Sequence, residues 1–426
     1  MTRFTHPRWW FPAGLLALWA AAAVVLSLDA CVREESRDPR FAARHAWQAA
    51  FDGLCAASGC GLLTFRFDAD YTPIGRAALA GAALVGAGLF VAAAAQAARQ
   101  TGAFGPLFGA PHPLACVGGM LVVQALVCAA LIPVFGSDAT LDVAVLGVTS
   151  FCGLGVRGDL ARAAPLALCV VGWIGAAGWP LWLLALPAAR RVTPPARLAT
   201  WIAAQLALVC IAGMLMAALE SPRGAATPGR FTAEANSRTS LLMAAGGAGG
   251  AGMSTIDPRD AGLHDGTLAL LAILVLIGGA ALSPAGGVSI AIVLAAAGFS
   301  RLRGESDPDA GRARQFVALR LAGAAALLTL VVAIGLLALE NRVASPFAAR
   351  PTFAAALLDA ASAVGGAGLS GGLADSVTDR NLVSGMRQSG GADQANLYPI
   401  GMSWLMLAML AGRMMPIMLL NTRCRA

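Results

Sequence analysis

The sequence predicts an all-α polytopic membrane protein, and three observations carry that prediction. Of its 426 residues 58% are apolar and 12% charged, which is about half the charged share of an ordinary soluble domain. The apolar residues gather in runs of about twenty, the length that takes a helix across a hydrocarbon core. Between alternate runs lie shorter apolar stretches, each ending in a glycine triplet, at a repeat-like interval.

The spanning candidates in chain order are 11–28, 77–98, 114–135, 165–187, 198–219, 267–299, 316–339 and 398–420. That makes eight spanning helices. Long polar connections after the first, third, fifth and seventh sort them into four units, 1–99, 113–191, 198–300 and 316–426. Arg3 and Arg8 precede the first run, which is longer than the core of a signal peptide. Asp29 within Leu28-Asp29-Ala30-Cys31 spoils the lipoprotein-type cleavage box, so 11–28 is read as an uncleaved first helix. Trp9 and Trp10 read as interfacial anchors.

Each long connection carries a short helix-compatible stretch, at 47–57, 141–151, 240–247 and 353–364, too short to span. Each is followed by a small residue, Gly, any residue, Gly and an aliphatic residue: Ser58-Gly59-Cys60-Gly61-Leu62, Cys152-Gly153-Leu154-Gly155-Val156, Gly249-Gly250-Ala251-Gly252-Met253 and Gly365-Gly366-Ala367-Gly368-Leu369. The last glycines stand 94, 97 and 116 residues apart. In a chain with 50 Gly one triplet reads as helix packing, but four in register carry a signal. A half-crossing helix followed by glycine-rich backbone is a re-entrant loop, tolerated at membrane depth where it lines a watery cavity or is buried in protein. The fold class is therefore four pseudo-repeated helix/pore-loop/helix units around a central ion pore.

Such a pore suits a cation. Glycine reaches positive φ and lets several backbones approach closely, so carbonyl oxygens from four segments can replace an ion's water. The carbonyl ends of the four short helices would add partial negative charge. Asp52 and Asp359 each stand nine residues before a last glycine, as vestibule charges or as helix caps. The sixth run is over-long and interrupted by Gly278-Gly279-Ala280-Ala281-Leu282-Ser283-Pro284-Ala285-Gly286-Gly287-Val288. Glycines with a proline break a helix, leaving a kink between packed helices or an unwound loop across the pore. Arg413 lies inside the last run, where a charge usually faces a partner or water, unless it snorkels to the surface.

Charge sets the topology. The short connections and termini (1–10, 97–112, 188–198, 300–315, 421–426) hold 12 Arg in 59 residues, and the long connections (29–75, 136–163, 220–266, 340–397) hold 15 in 180. The denser side is cytoplasmic, so both termini are expected inside. The outer segments total −5 and the inner ones +9, which would draw cations toward the outer mouth or simply keep longer loops soluble. The segment from Arg301 to Arg314 reads as a charged cytoplasmic linker, and 371–396 as a polar outer cap.

Other chemistry is poorly supplied. The 30 basic residues are all Arg, so no lysine serves as a Schiff base or phosphate ligand. The nine Cys are scattered without a C-x-x-C pair, beside four His, and read as free thiols. No spanning run gathers His, Glu or Asp for acid–base or metal work, which argues against a membrane-embedded enzyme.

These motifs resemble the Trk/Ktr/HKT superfamily of potassium transporters over nearly the whole chain. The stretch Ala49 to Leu62 is similar to its first pore loop, Thr149-Ser150-Phe151-Cys152-Gly153-Leu154-Gly155 to the second, Ala251-Gly252-Met253-Ser254-Thr255-Ile256-Asp257 to the third and Ala361 to Ser370 to the fourth. The resemblance implies a filter at Cys60, Gly61, Leu154, Gly155, Ala251, Gly252, Ala367 and Gly368, with K+ bound at the four glycines. Plant members with a serine at the first of these prefer sodium, whereas here all four are Gly. It also implies a gate formed by Gly278, Gly279, Ser283, Pro284, Gly286, Gly287 and Arg413. The family's lysine beyond that loop is Ser289 here.

Further implications are a homodimer in the plasma membrane, a cytoplasmic nucleotide-binding ring as partner, potassium as substrate, no covalent cofactor and no nucleic acid. Missing filter hydroxyls and the missing lysine fit an alternative, a non-conducting paralogue serving as an assembly or sensor subunit.

Overall fold

The computed structural model describes residues 7–33, 42–63, 67, 70–101, 112–135, 140–155, 164–178, 182, 195–220, 233–250, 252, 263–279, 283–284, 287–298, 308–343, 352–370 and 398–420. Ala251 and Gly286, together with 156–163, 253–262, 301–307 and 371–397, lie outside them. The described residues form thirteen helices in four groups. The first group is α1 (Pro7–Ser27), α2 (Ala42–Ser58) and α3 (Pro73–Thr101). The second is α4 (Pro113–Phe135), α5 (Thr140–Phe151) and α6 (Pro165–Ala176). The third is α7 (Pro195–Glu220), α8 (Ala233–Ala248), α9 (Asp265–Leu276) and α10 (Ile290–Ala296). The fourth is α11 (Pro308–Val343), α12 (Phe353–Gly365) and α13 (Tyr398–Leu420).

Local chemistry explains many of the boundaries. Six helices open on proline, whose missing N–H and fixed φ cost nothing at the first helical position. Side chains cap others: Thr352 accepts from the Ala355 amide at 3.3 Å, and Ser289 from the Ile292 amide at 3.3 Å. Ser289 thus starts α10. Helix α8 begins earlier than the predicted 240–247, and α11 takes in 308–314 of the predicted linker. Both extensions are polar but helix-forming, so a search for apolar runs passes over them.

Among the described residues six helices are long and apolar enough to cross a membrane: α1, α3, α4, α7, α11 and α13. The other two predicted spans differ. The run at 165–187 is described as a helix only through Ala176, and the run at 267–299 is divided into α9 and α10. The long helices present Leu114, Leu327, Met214 and Leu407 outward, whereas α12 is buried along almost its whole length. A water-soluble protein would bury the former set, and a bilayer solvates it. The chain is a multi-pass helical membrane protein.

The four groups close into a ring. In each, the helix after the hairpin packs on the short helix of the next group: α3 on α5, α6 on α8, α9 on α12 and α13 on α2. Close approach within a group falls on glycine. A β-carbon at Gly86, Gly175 or Gly412 would strike the carbonyl of Ala57, Phe151 or Val364 near the end of its own group's short helix. In the third group the corresponding helix breaks at this level, and the Gly279 amide donates to the Ala248 carbonyl at 3.4 Å.

Candidate functional site

The site is built from helix ends. Each short helix stops at a glycine in the left-handed region, Gly59, Gly153, Gly250 or Gly366, with φ between 61° and 82°. This is the ordinary C-terminal stop, open to a residue without a β-carbon. The amide of Cys60 donates to the Cys55 carbonyl at 2.8 Å and that of Leu154 to the Thr149 carbonyl at 2.8 Å, which satisfies helix-end oxygens and turns the chain back. Two residues later a second left-handed glycine follows in every hairpin: Gly61, Gly155, Gly252 and Gly368, with φ from 60° to 69°.

These glycines meet in two tiers. In the second tier, a β-carbon on Gly61 would strike the Leu154 carbonyl and lie 2.9 Å from the Gly368 α-carbon. One on Gly252 would strike the Ala367 carbonyl and lie 2.9 Å from the Gly155 α-carbon. In the first tier, a β-carbon on Gly153 would sit 2.8 Å from the Gly250 carbonyl and 3.1 Å from that of Gly366, and one on Gly59 would sit 2.7 Å from that of Cys152. Eight glycines from four segments of one chain are therefore packed main chain to main chain. Of the described side chains between them, the Cys60 thiol donates to the Ser362 carbonyl at 3.2 Å, and Leu154 and Ala367 are buried.

Beside the first tier lies Arg413, on α13. Its side chain is 5% exposed, which rules out snorkelling to the surface. Its Nε donates to the Ser58 carbonyl and its Nη2 to that of Pro284 at 2.7 Å, while the guanidinium lies 4.8 Å from the Phe90 ring centre. The same guanidinium is 2.6 Å from a β-carbon placed on Gly59 and 3.2 Å from one on Gly366. Among the described residues its Nη1 has no hydrogen-bond partner.

The predicted loop lies where α9 ends. The Ser283 hydroxyl donates to the Gly175 carbonyl at 3.2 Å, the Ile290 amide to the Gly279 carbonyl at 3.0 Å and the Val288 amide to the Leu276 carbonyl at 2.7 Å. Gly279 and Gly287 have φ of 46° and 76°, and Gly278 is described beside them. The described residues between α9 and α10, 277–279, 283–284 and 287–289, are not helical.

Behind the tiers the short helices carry polar groups that are fully buried. The Tyr71 hydroxyl donates to Asp52 at 2.6 Å, and burial, then the Asp52 carboxylate, push the Tyr71 phenol well above its usual range. Asp359 is equally buried on α12. Ser362 donates to the Leu369 carbonyl, and Cys55 to the Leu62 carbonyl at 3.4 Å, each spanning seven residues across its hairpin. Arg76 pairs with Asp142 at 2.9 Å and ties the first group to the second.

Of the residues predicted for the site, Cys60, Gly61, Leu154, Gly155, Gly252, Ala367 and Gly368 fall in the paired tiers, and Gly278, Gly279, Ser283, Pro284, Gly287 and Arg413 fall beside them. The first-tier glycines were missed as site residues, although the G-x-G repeat contains them and a helix needs such a stop. Nothing local in the sequence marks Tyr71, Phe90 or the carbonyl of Ser58, which folding alone brings in.

The arrangement defines a class, a helical multi-pass membrane protein in which the ends of four short helices from one chain are packed together through glycines. No family model matches the chain, and no curated protein matches it. Among solved structures it is similar to the crystal structure of the potassium transporter TrkH from Vibrio parahaemolyticus, with a TM-score of 0.65 at 16% identity over 97% of this chain and 84% of that one. At that identity the likeness is one of fold.

Proposed function

We propose that the chain is the conducting subunit of a potassium transporter, passing the ion between the four hairpins within a single chain. The observation that carries this reading is the double tier of left-handed glycines, because it brings main chain from four directions together without side chains between. Carbonyl oxygens there would replace a monovalent cation's hydration shell, with K+ held at Gly61, Gly155, Gly252 and Gly368. The carbonyl ends of α2, α5, α8 and α12 would add negative potential, and the membrane potential would supply about 2.3 kcal/mol per charge at 100 mV.

Arg413 and the loop through Gly279, Ser283, Pro284 and Gly287 would form the gate. In this reading the structure is the closed state: the guanidinium opposes a cation leaving the first tier, and opening requires it to release Ser58 and Pro284. The reading carries with it a plasma-membrane homodimer, cytoplasmic termini and a nucleotide-binding ring on the cytoplasmic face.

The test is growth and rubidium uptake in a potassium-uptake-deficient host, with and without a ring subunit. Uptake above the empty-vector level is expected. Its absence in both cases, with the chain present in the membrane, would favour the non-conducting alternative.

A further inference from the structure

Two thiols and a thioether lie in one buried cluster behind the first hairpin. The Cys55 thiol lies 3.8 Å from the Met409 sulfur, and Cys60, whose thiol donates to the Ser362 carbonyl, belongs to the same buried cluster. All three side chains are fully buried. Cys60 is the middle residue of the triplet Gly59-Cys60-Gly61, and Cys55 donates to the carbonyl of Leu62, the residue after Gly61. The eight described cysteines are free thiols.

Ligand chemistry narrows what such a cluster can hold. Among the described residues no group of three or more His, Cys, Asp or Glu is placed to hold a metal ion, and Asp52, one turn before Cys55, is engaged by Tyr71. A zinc site closed by four nitrogen, sulfur or carboxylate ligands is therefore not available. Thiolate with thioether selects soft ions such as Cu(I). Charge points the same way: if one thiol gives its proton to water, a monovalent ion, one thiolate, one thiol and one thioether form a neutral set. A divalent ion would reach neutrality only if both buried thiols gave up their protons, a second deprotonation in an apolar setting, which is costly.

We propose that Cys55, Cys60 and Met409 form a binding site for a soft monovalent metal ion, cuprous or silver, directly behind the glycine tiers. Binding draws the Cys55 sulfur away from the Leu62 carbonyl and so loosens the backbone beyond Gly61. The fourth hairpin shows that this tether does not need sulfur, because Ser362 makes it to Leu369 with a hydroxyl. The inference rests on the transport reading only for the ion's route of entry.

The full chain, purified in detergent, is titrated with cuprous ion against a chromogenic chelator while the thiolate-to-copper absorption in the near ultraviolet is followed. One tight equivalent is expected. Cys55→Ser keeps a hydroxyl tether and should weaken that equivalent by about 100-fold or more, since losing even an outer-shell group costs 10- to 100-fold. Met409→Leu, which leaves both thiols, should weaken it less.

Tight binding unchanged in both variants would overturn the proposal, as would its absence from the native chain. In liposomes, micromolar silver should stop rubidium flux through the native protein and spare Cys55→Ser. Stoichiometric binding without flux in any variant would uphold the metal site and contradict the transport reading, so the two failures are distinguishable.

Discussion

The first and fourth hairpins differ from the second and third in how they are held. At the position nine residues before the second-tier glycine, the first and fourth carry buried Asp52 and Asp359, where the second and third carry Leu146 and Met243. Seven residues before the following aliphatic residue stand Cys55 and Ser362, both tethered across their hairpins. The matching Thr149 turns back on its own helix, to the Val145 carbonyl at 2.9 Å, and Gly246 has no side chain. Arg413 contacts the first and fourth hairpins at Ser58, Gly59 and Gly366, whereas the loop is bonded to the second and third groups through Gly175 and Ala248. The contact between Arg413 and Pro284 joins the two halves. A near-fourfold ring thus carries a twofold mechanical pattern, with one pair of hairpins braced and gripped by the arginine and the other pair holding the loop.

The largest effect should come from filling the second tier. Gly61→Ala and Gly252→Ala drive a β-carbon into a carbonyl oxygen and add the left-handed backbone penalty of about 1–2 kcal/mol. Both should abolish rubidium uptake. Gly155→Ala meets its nearest atom at 3.2 Å and should retain a measurable fraction. Equal loss at all three positions would show that crowding does not rank them.

Next in size is Arg413→Met. It removes two hydrogen bonds and a buried charge whose Nη1 has no hydrogen-bond partner among the described residues, and replacing a buried charge by an apolar side chain is often close to neutral in stability. Melting temperature should move little while basal flux rises several-fold. A fall in both would mean that the arginine braces the site rather than closing it.

How much of this could be read from the sequence depended on the range of the interaction. Helix existence and the four glycine triplets were legible, because apolar length and backbone conformation are local properties. The interruption near Pro284 was legible for the same reason. The ring closure, the pairing of Tyr71 with Asp52 and the grip of Arg413 on Ser58 were not, since their partners lie 19 and 355 residues apart. The twofold pattern was half visible: Asp52 and Asp359 share a register, but the tethers pair a thiol with a hydroxyl and so leave no repeated residue type.

Tyr71→Phe probes the braced half through its buried carboxylate. Losing the 2.6 Å bond to Asp52 should cost about 1.5–3 kcal/mol if the carboxylate is ionised, read as a lower melting temperature. The Tyr71 pKa is raised in the folded state, so its stabilisation is complete below the unfolded value of about 10 and is lost as pH rises from there. Native protein should lose stability more steeply than the Phe variant above that pH. The smallest effect is expected at Ser362→Cys, which gives the fourth hairpin the tether of the first. Its uptake should stay within about twofold of native, because the two hydrogen bonds differ by well under 1 kcal/mol.

The most direct test is rubidium flux into liposomes holding the purified chain alone. Native protein should give potassium-competed flux above protein-free liposomes, Arg413→Met should exceed it, and Gly252→Ala should fall to background. Flux at background for native protein and Arg413→Met alike, with both correctly inserted, would contradict the claim that the four hairpins form a path for ions.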